Sequence, residues 1–525
     1  MQLILLIFST ILPFVTWTLE IHPRYNEIIQ NDENSSQKDL QINQTKAIEM
    51  YSMALMSSFW FFEAQRSGKM PLNNRIPWRG DSMLHDHGYL GENLSGGYYN
   101  SGLTYVKYVF PTAFTTTMLA WGLLTWTEAY RNAGQLEIVR ENIKWASDYF
   151  IKCHPQEELF YVQVGDEMFE RRVYGRLEQM IYKRPAYAAN STNPATDILG
   201  EVVAALAATS LVFKTIFDDT RYSDTCLTHA KQLYKLALKY KGSHYDWMPN
   251  IYGYEINSYS YHDDLAWSGL WLSRATTDSN YFHDAQHYYE EYNLATNNTI
   301  FNYYNKVPGI EVLFNQIISY PKSPHTKAVH RYLDTLINNV TRTKKGLAFF
   351  SDDDTLSLAA NAAFLCLIAL SSNNKMNLSH KYYDFAKEQI DYILGMKTER
   401  DYVVGLTSKS PTQIPHKASS CPKWPANCGH TKMMSNEPNH EILYGALVNG
   451  PDVHDHFVDI RFNKTDKAYT KIRIDYNAGF TGALAGLLQL DVTWNRDISS
   501  TSSTQRISNR TLDYNSIMWK RIMRT

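Results

Sequence analysis

From Lys46 the apolar positions fall into a helical rhythm. Ile48, Tyr51, Leu55, Phe59 and Phe62 recur every three or four residues until Gly68 and Pro71 close the run. The same periodicity returns at 111–131, 136–152, 194–216, 222–240, 261–274 and 278–290, then at 308–319, 323–341, 355–371, 378–395 and 477–490. The most apolar of these segments carries Leu199, Val203, Leu206, Phe213 and Phe217, with Asn193 as its expected cap and Pro194 in its first turn. Strand-like alternation is scarce. About twelve helices joined by long loops therefore predict an all-α chain. Period alone allows a closed helical barrel or a solenoid, and no clear internal repeat supports the solenoid.

The flanks read differently. Residues 1–18 hold an apolar run from Leu3 to Val15, shorter than the roughly 20 residues that span a bilayer, and predict a secretory signal peptide. No Lys or Arg precedes that run and no Ala-x-Ala follows it, so cleavage is placed near Thr16 to Thr18 by its end alone. Residues 19–44 are polar and read as a spacer. Residues 493–525, rich in Ser, Thr and Arg without periodicity, predict a disordered tail. Sequons for N-glycosylation stand at Asn34, Asn43, Asn93, Asn190, Asn297, Asn339, Asn377, Asn463 and Asn509. Signal and sequons together predict a secreted, extracellular glycoprotein with no membrane span once the signal is removed.

At 525 residues the chain can bury a large core, and residues 45–492 are expected to form it. A formal net charge of -2 removes the electrostatic case for nucleic acid or an anionic membrane. The 37 Tyr and 12 Trp suit sugar stacking, but most are expected to fill helical interiors. Five cysteines are too few, and odd in number, for a disulfide scaffold. Cys421 and Cys428 are close enough to bridge a loop, and Cys366 lies in an apolar helical run, where core is expected. A monomer without cofactor or metal is the expectation.

Gly96-Gly97-Tyr98-Tyr99-Asn100-Ser101-Gly102-Leu103-Thr104-Tyr105-Val106-Lys107-Tyr108-Val109-Phe110-Pro111 is the most specific stretch. It is joined by Asn74-Arg75-Ile76-Pro77-Trp78-Arg79-Gly80-Asp81-Ser82, Val307-Pro308-Gly309, Leu358-Ala359-Ala360-Asn361 and Asp475-Tyr476-Asn477-Ala478-Gly479-Phe480. In this order these blocks resemble glycoside hydrolase family 9, the inverting endo-β-1,4-glucanases (cellulases). The resemblance covers roughly residues 46–492 and implies an (α/α)6 barrel, six inner and six outer helices.

It also implies a chemistry that this sequence alters. Inverting hydrolysis needs one carboxyl to protonate the leaving oxygen and another to deprotonate water on the opposite face. The family's loop reads Gly-Gly-Tyr-Tyr-Asp-Ala-Gly-Asp, its two Asp residues holding and activating the water. Here the first is Asn100, the second falls on Leu103 or Thr104, and the loop is one residue longer. The family's acid, a Glu four residues before Asp-Tyr-Asn-Ala-Gly-Phe, falls on Lys471, and no Glu follows Glu441. Asp466 is the candidate substitute acid, weighed against a solvated loop residue between Lys464 and Lys467.

The resemblance further places His416, Lys417, Tyr98 and Tyr174 among substrate-binding positions. Lys417 replaces an Arg and loses its bidentate fork, while Tyr174 and Asp353 each replace a sugar-stacking Trp. Thr196, Asp197 and Glu201 lie where the family often binds calcium, yet they also make an ordinary helix first turn, and no metal is assigned. The reading is a cellulase homologue without intact catalytic residues, a pseudoenzyme serving as a binding or interaction protein. Affinity for β-glucan or other polysaccharides is expected to be weak. The alternative is an active β-1,4-glucan hydrolase that uses Asp466.

Overall fold

The computed structural model describes residues 37–248, 260–295, 300–318, 323–372, 380–423, 425–462 and 468–501. Helices α1 (Gln37–Ala64), α2 (Val109–Thr125), α3 (Thr127–Asn132), α4 (Leu136–Cys153), α5 (Glu167–Arg172) and α6 (Thr196–Thr215) occupy the first part. They are followed by α7 (Thr220–Lys239), α8 (His262–Thr276), α9 (Ser279–Glu291), α10 (Val307–Ile318) and α11 (Pro324–Asn338). The rest are α12 (Thr355–Ser371), α13 (His380–Ile393), α14 (Lys417–Ser420), α15 (His430–Met433) and α16 (Tyr476–Thr501). All twelve expected helices are present. The first begins at Gln37, inside the stretch read as a polar spacer, and the last reaches Thr501, inside the stretch read as the tail.

Two kinds of helix alternate, and their composition explains why. In α2 every residue from Val109 to Leu123 is buried, and in α12 every residue from Thr355 to Ala369. A helix apolar on all sides has to be surrounded. In α4 the buried positions Val139, Ile143, Ala146 and Phe150 return every three or four residues, leaving a polar outer face. The inner helices pack in a ring, α2–α6–α8–α10–α12–α16 and back to α2, while α4, α7, α9, α11, α13 and α1 each lie against one of them. This closed ring is an (α/α)6 barrel.

Aromatic rings fill its axis. Trp121 of α2 meets Trp267 and Trp271 of α8 edge-on at 5.6 and 5.7 Å, and Phe364 of α12 at 5.6 Å. These three helices are not neighbours in the ring, so the rings touch across its middle. Edge-to-face pairs add about 0.5–1.5 kcal/mol each beyond their burial.

Two features escaped the periodicity, while the cysteines stand as expected. The cap expected at Asn193 is displaced: α6 starts at Thr196 with Ala195 before it and no side-chain cap, while Asn193 sits in a turn whose N–H donates to Asn190 Oδ1. A small antiparallel sheet, β1 (Lys107–Tyr108), β2 (Phe160–Val164) and β3 (Ala186–Ala189), lies over one end of α2. All five residues of β2 are buried, so no polar alternation marks it in sequence. Cys421 and Cys428 are disulfide-bonded, and Cys153, Cys226 and Cys366 are buried free thiols.

A charge network ties four inner helices together. Lys306, fully buried, donates to Asp264 Oδ1 at 2.8 Å and lies 3.4 Å from Glu201 Oε2, while Thr117 donates to Glu201 Oε1 at 2.9 Å. Burial pushes the Asp263, Asp264 and Glu201 carboxyls up, and Lys306 opposes the rise. Removing the single cation of such a cluster leaves carboxyls with no charge partner. Lys306→Met is expected to cost about 3–5 kcal/mol in chemical denaturation, and a loss below about 1 kcal/mol would show the network to be dispensable.

Candidate functional site

Loops 96–108, 165–179, 349–354, 414–422 and 468–475 meet where α2, α12 and α16 begin. Gly97, at φ +74°, turns the chain into this region, and a Cβ there would run into the Tyr149 ring at 2.6 Å. Ser101 and Arg473 form an antiparallel bridge, and Ile474 N–H donates to Asn100 O at 2.8 Å. Lys417 N–H donates to Gly102 O at 3.0 Å, and a Cβ on Gly102 would lie 2.5 Å from Pro415 O. The loop bearing Asn100 is thus clamped between the segment before α16 and the chain at 415–417.

On one wall stands Arg473, 3% exposed. It donates to both oxygens of Asp475, at 3.0 and 2.6 Å, and at 2.8 Å to Asp354, which also accepts from Tyr476 OH at 2.5 Å. Asp354 reaches this position with φ +60°, as the residue before α12. Burial would raise its carboxyl, but Arg473, Lys471 and the Tyr476 hydroxyl hold it below the usual carboxylate range. Burial keeps the Asp475 carboxyl above that range despite Arg473. Lys471, the position matched to the family's acid, is half-buried two residues away. Burial and Arg473 hold its ammonium below the ordinary lysine value, against the pull of Asp354, Asp353 and Asp475. Asp352 and Asp353 are exposed. Asp466 and Asn463 lie outside the described residues.

Bridged directly to Arg473 is the Asn100–Val106 turn, which packs against α5. Asn100 is 1% exposed, and its N–H donates to Val106 O at 3.1 Å. Leu103 is half-buried, whereas Thr104 is buried and donates through Oγ1 to Glu167 Oε2 at 3.0 Å. Tyr105 N–H donates to Glu170 Oε2 at 2.9 Å, and Glu170 is ion-paired to Arg184 at 3.1 Å. Sequence reasoning missed Glu167. Its signal was Glu167-Met168-Phe169-Glu170, a spacing of three that puts two carboxylates on one face of a helical turn. Asp166 caps that turn by accepting from Phe169 N–H at 2.7 Å.

Of the expected substrate-binding residues, Tyr98, His416 and Lys417 are buried and Tyr174 is half-buried. Tyr98 is 4% exposed and its hydroxyl donates to Asn142 Oδ1 at 2.9 Å, on the side of α4. His416 is 1% exposed: Nδ1 accepts from Ser419 N–H at 3.0 Å, capping α14, so Nε2–H donates to Gln65 Oε1 at 3.0 Å. Lys417 is buried and donates to the Glu170 carbonyl at 2.6 Å, and burial lowers its ammonium to about 8. Tyr174 is half-buried, with its hydroxyl hydrogen-bonded to Ser420. Beside them opens a cavity of about 500 Å³ lined by Trp78, Arg176, Glu178, Pro422 and Glu441 among others. Asp197 and Glu201 are also engaged by protein groups, Asp197 with Ser243 Oγ and His244 Nδ1, both at 2.7 Å.

His416 has a measurable consequence. Burial and the nearby Arg79 lower its imidazole from 6.5 to about 3. The unfolded chain therefore binds one proton more than the folded chain between those values, and stability falls as pH drops through that window. His416→Gln is expected to reduce the pH slope of unfolding free energy by up to about 1.4 kcal/mol per unit between about pH 6 and 4. An unchanged slope would show that His416 is protonated in the fold.

Among known proteins, residues 51–484 match Glycosyl hydrolase family 9. Endoglucanase A of Bacillus pumilus is 35% identical over 85% of this chain and 68% of its own length. Endoglucanase 10 of Arabidopsis thaliana is 33% identical over 84% and 88%. The solved structure of an endoglucanase from the termite Nasutitermes takasagoensis superimposes with a TM-score of 0.79 at 41% identity, covering 84% of this chain and 99% of that one. The ring of inner helices, the clamped Gly-Gly-Tyr-Tyr loop and these matches lead to one conclusion: the chain belongs to glycosyl hydrolase family 9.

Proposed function

We propose that this chain is a secreted family 9 homologue that no longer cleaves unactivated β-1,4-glucan and acts by binding. The observation that supports this most directly is the wall around Arg473. An inverting hydrolase needs an acid there. The position matched to it carries an ammonium, and the neighbouring Asp354 and Asp475 both accept from the same guanidinium. A cation beside a positive, oxocarbenium-like transition state opposes the charge that develops. General acid catalysis is worth roughly 10²–10⁴-fold, so its loss alone removes most turnover.

Reducing-sugar release from carboxymethylcellulose and barley glucan by the full chain tests this. No release above buffer is expected. Release that Asp466→Asn abolishes would overturn the proposal and identify the substitute acid.

Secretion rests on the apolar N-terminus and the sequons. Asn93 and Asn339 are exposed, Asn190 is half-buried and Asn43 lies within α1. Asn34, Asn297, Asn377, Asn463 and Asn509 lie outside the described residues. Expression in a glycosylating host is expected to deliver the protein to the medium, with a mass that drops on endoglycosidase treatment. Retention in the cytosol without a mass change would contradict it.

A further inference from the structure

At the turn that carries the positions matched to the family's water-activating residues, the structure brings in a carboxylate from a different element. Thr104, one of the two positions matched to the family's second Asp, donates to Glu167 Oε2 at 3.0 Å, and Tyr108 OH donates to the same oxygen at 2.8 Å. Arg171 Nη2 reaches the other oxygen at 2.8 Å. A carboxylate offers about four acceptor positions, of which these contacts take three. The side chain is 9% exposed. Tyr108 also lines a narrow recess of about 30 Å³ with Phe110, His244, Tyr303 and Tyr304. Tyr303 lies under the Arg473 guanidinium at 5.4 Å. The turn from Asn100 to Thr104 thus links the two groups: Ser101 is bridged to Arg473, and Thr104 donates to Glu167.

We propose that Glu167 is a replacement base, so that the site has lost its acid while keeping the means to activate water. This rests on the reading of the cleft given under Proposed function and sharpens it. The extra residue at Leu103–Thr104 has a role in it. It carries the turn toward α5, where a threonine hydroxyl orients Glu167 in place of a carboxylate on the loop itself. Such a site fails on a glucan chain, whose leaving oxygen must be protonated. It works on a sugar whose leaving group departs without a proton. With β-cellobiosyl fluoride, a water oxygen forms the new bond to C1 on the α face as the C1–F bond breaks. The bonding pair leaves with fluoride, and the water's proton passes to Glu167 and then to solvent. The products are α-cellobiose, fluoride and a proton.

A fluoride electrode follows this reaction with the full chain and millimolar β-cellobiosyl fluoride, and NMR identifies the first anomer formed. The expected result is protein-dependent fluoride release giving the α anomer, cut about a hundredfold or more in Glu167→Gln, in line with loss of a general base. Glu167→Ala with added azide is expected to regain fluoride release and to yield α-cellobiosyl azide, a product that a merely structural role for Glu167 does not give. Circular dichroism of both variants monitors folding. No release by the native chain, or undiminished release by a folded Glu167→Gln, overturns the assignment while leaving the Proposed function standing. Cleavage of unactivated glucan by the native chain would instead overturn that reading.

Discussion

A guanidinium buried among two carboxylates sets the geometry of the whole site. Arg473 closes on Asp475 at 2.6 Å and on Asp354 at 2.8 Å, and these two residues immediately precede α16 and α12. The ion cluster therefore fixes the entry of two inner helices relative to each other. Through the Ser101 bridge it also fixes the Asn100 turn. Breaking a buried pair from one side costs about 3–5 kcal/mol, because the abandoned charge has no water to turn to. Neither Asp354 nor Asp475 is released from this arrangement without disturbing the barrel rim. The site and the scaffold are joined at this point, because the carboxylates that border the site also anchor the starts of two inner helices.

Elsewhere the two are separate, which allows loop positions to change while the fold persists. The barrel is held by Trp121, Trp267, Trp271 and Phe364 on its axis and by the Lys306 cluster, all within or between inner helices. The altered positions, Asn100, Leu103, Thr104 and Lys471, all lie on loops. Substitutions on loops supported by such a core leave its packing unchanged.

The helices were legible in sequence because each kind carries its own signature: continuous apolar runs for the inner ring, a three-to-four spacing for the outer one. What escaped was short or governed by distant contacts. Strand β2 is buried on both faces and has no alternation to detect. The α6 cap at Asn193 failed because the chain turns there on Asn190. In the site, Asn100 and Lys471 could be matched to positions of the family motifs by counting. The partner of each group could not, since Arg473–Asp354, Thr104–Glu167 and His416–Gln65 join residues far apart in the chain. His416 shows the difference well. Its motif matches a substrate-contacting position, and its partners, Ser419 N–H and Gln65 Oε1, became visible only in the fold.

The central claim is that the cleft lacks a working acid for an ordinary glycosidic bond. Prolonged incubation of cellohexaose with the full glycosylated chain in oxygen-18-labelled water, read by mass spectrometry, tests it most directly. The account predicts intact, unlabelled cellohexaose. Shorter oligosaccharides carrying one labelled oxygen at the new reducing end would contradict it.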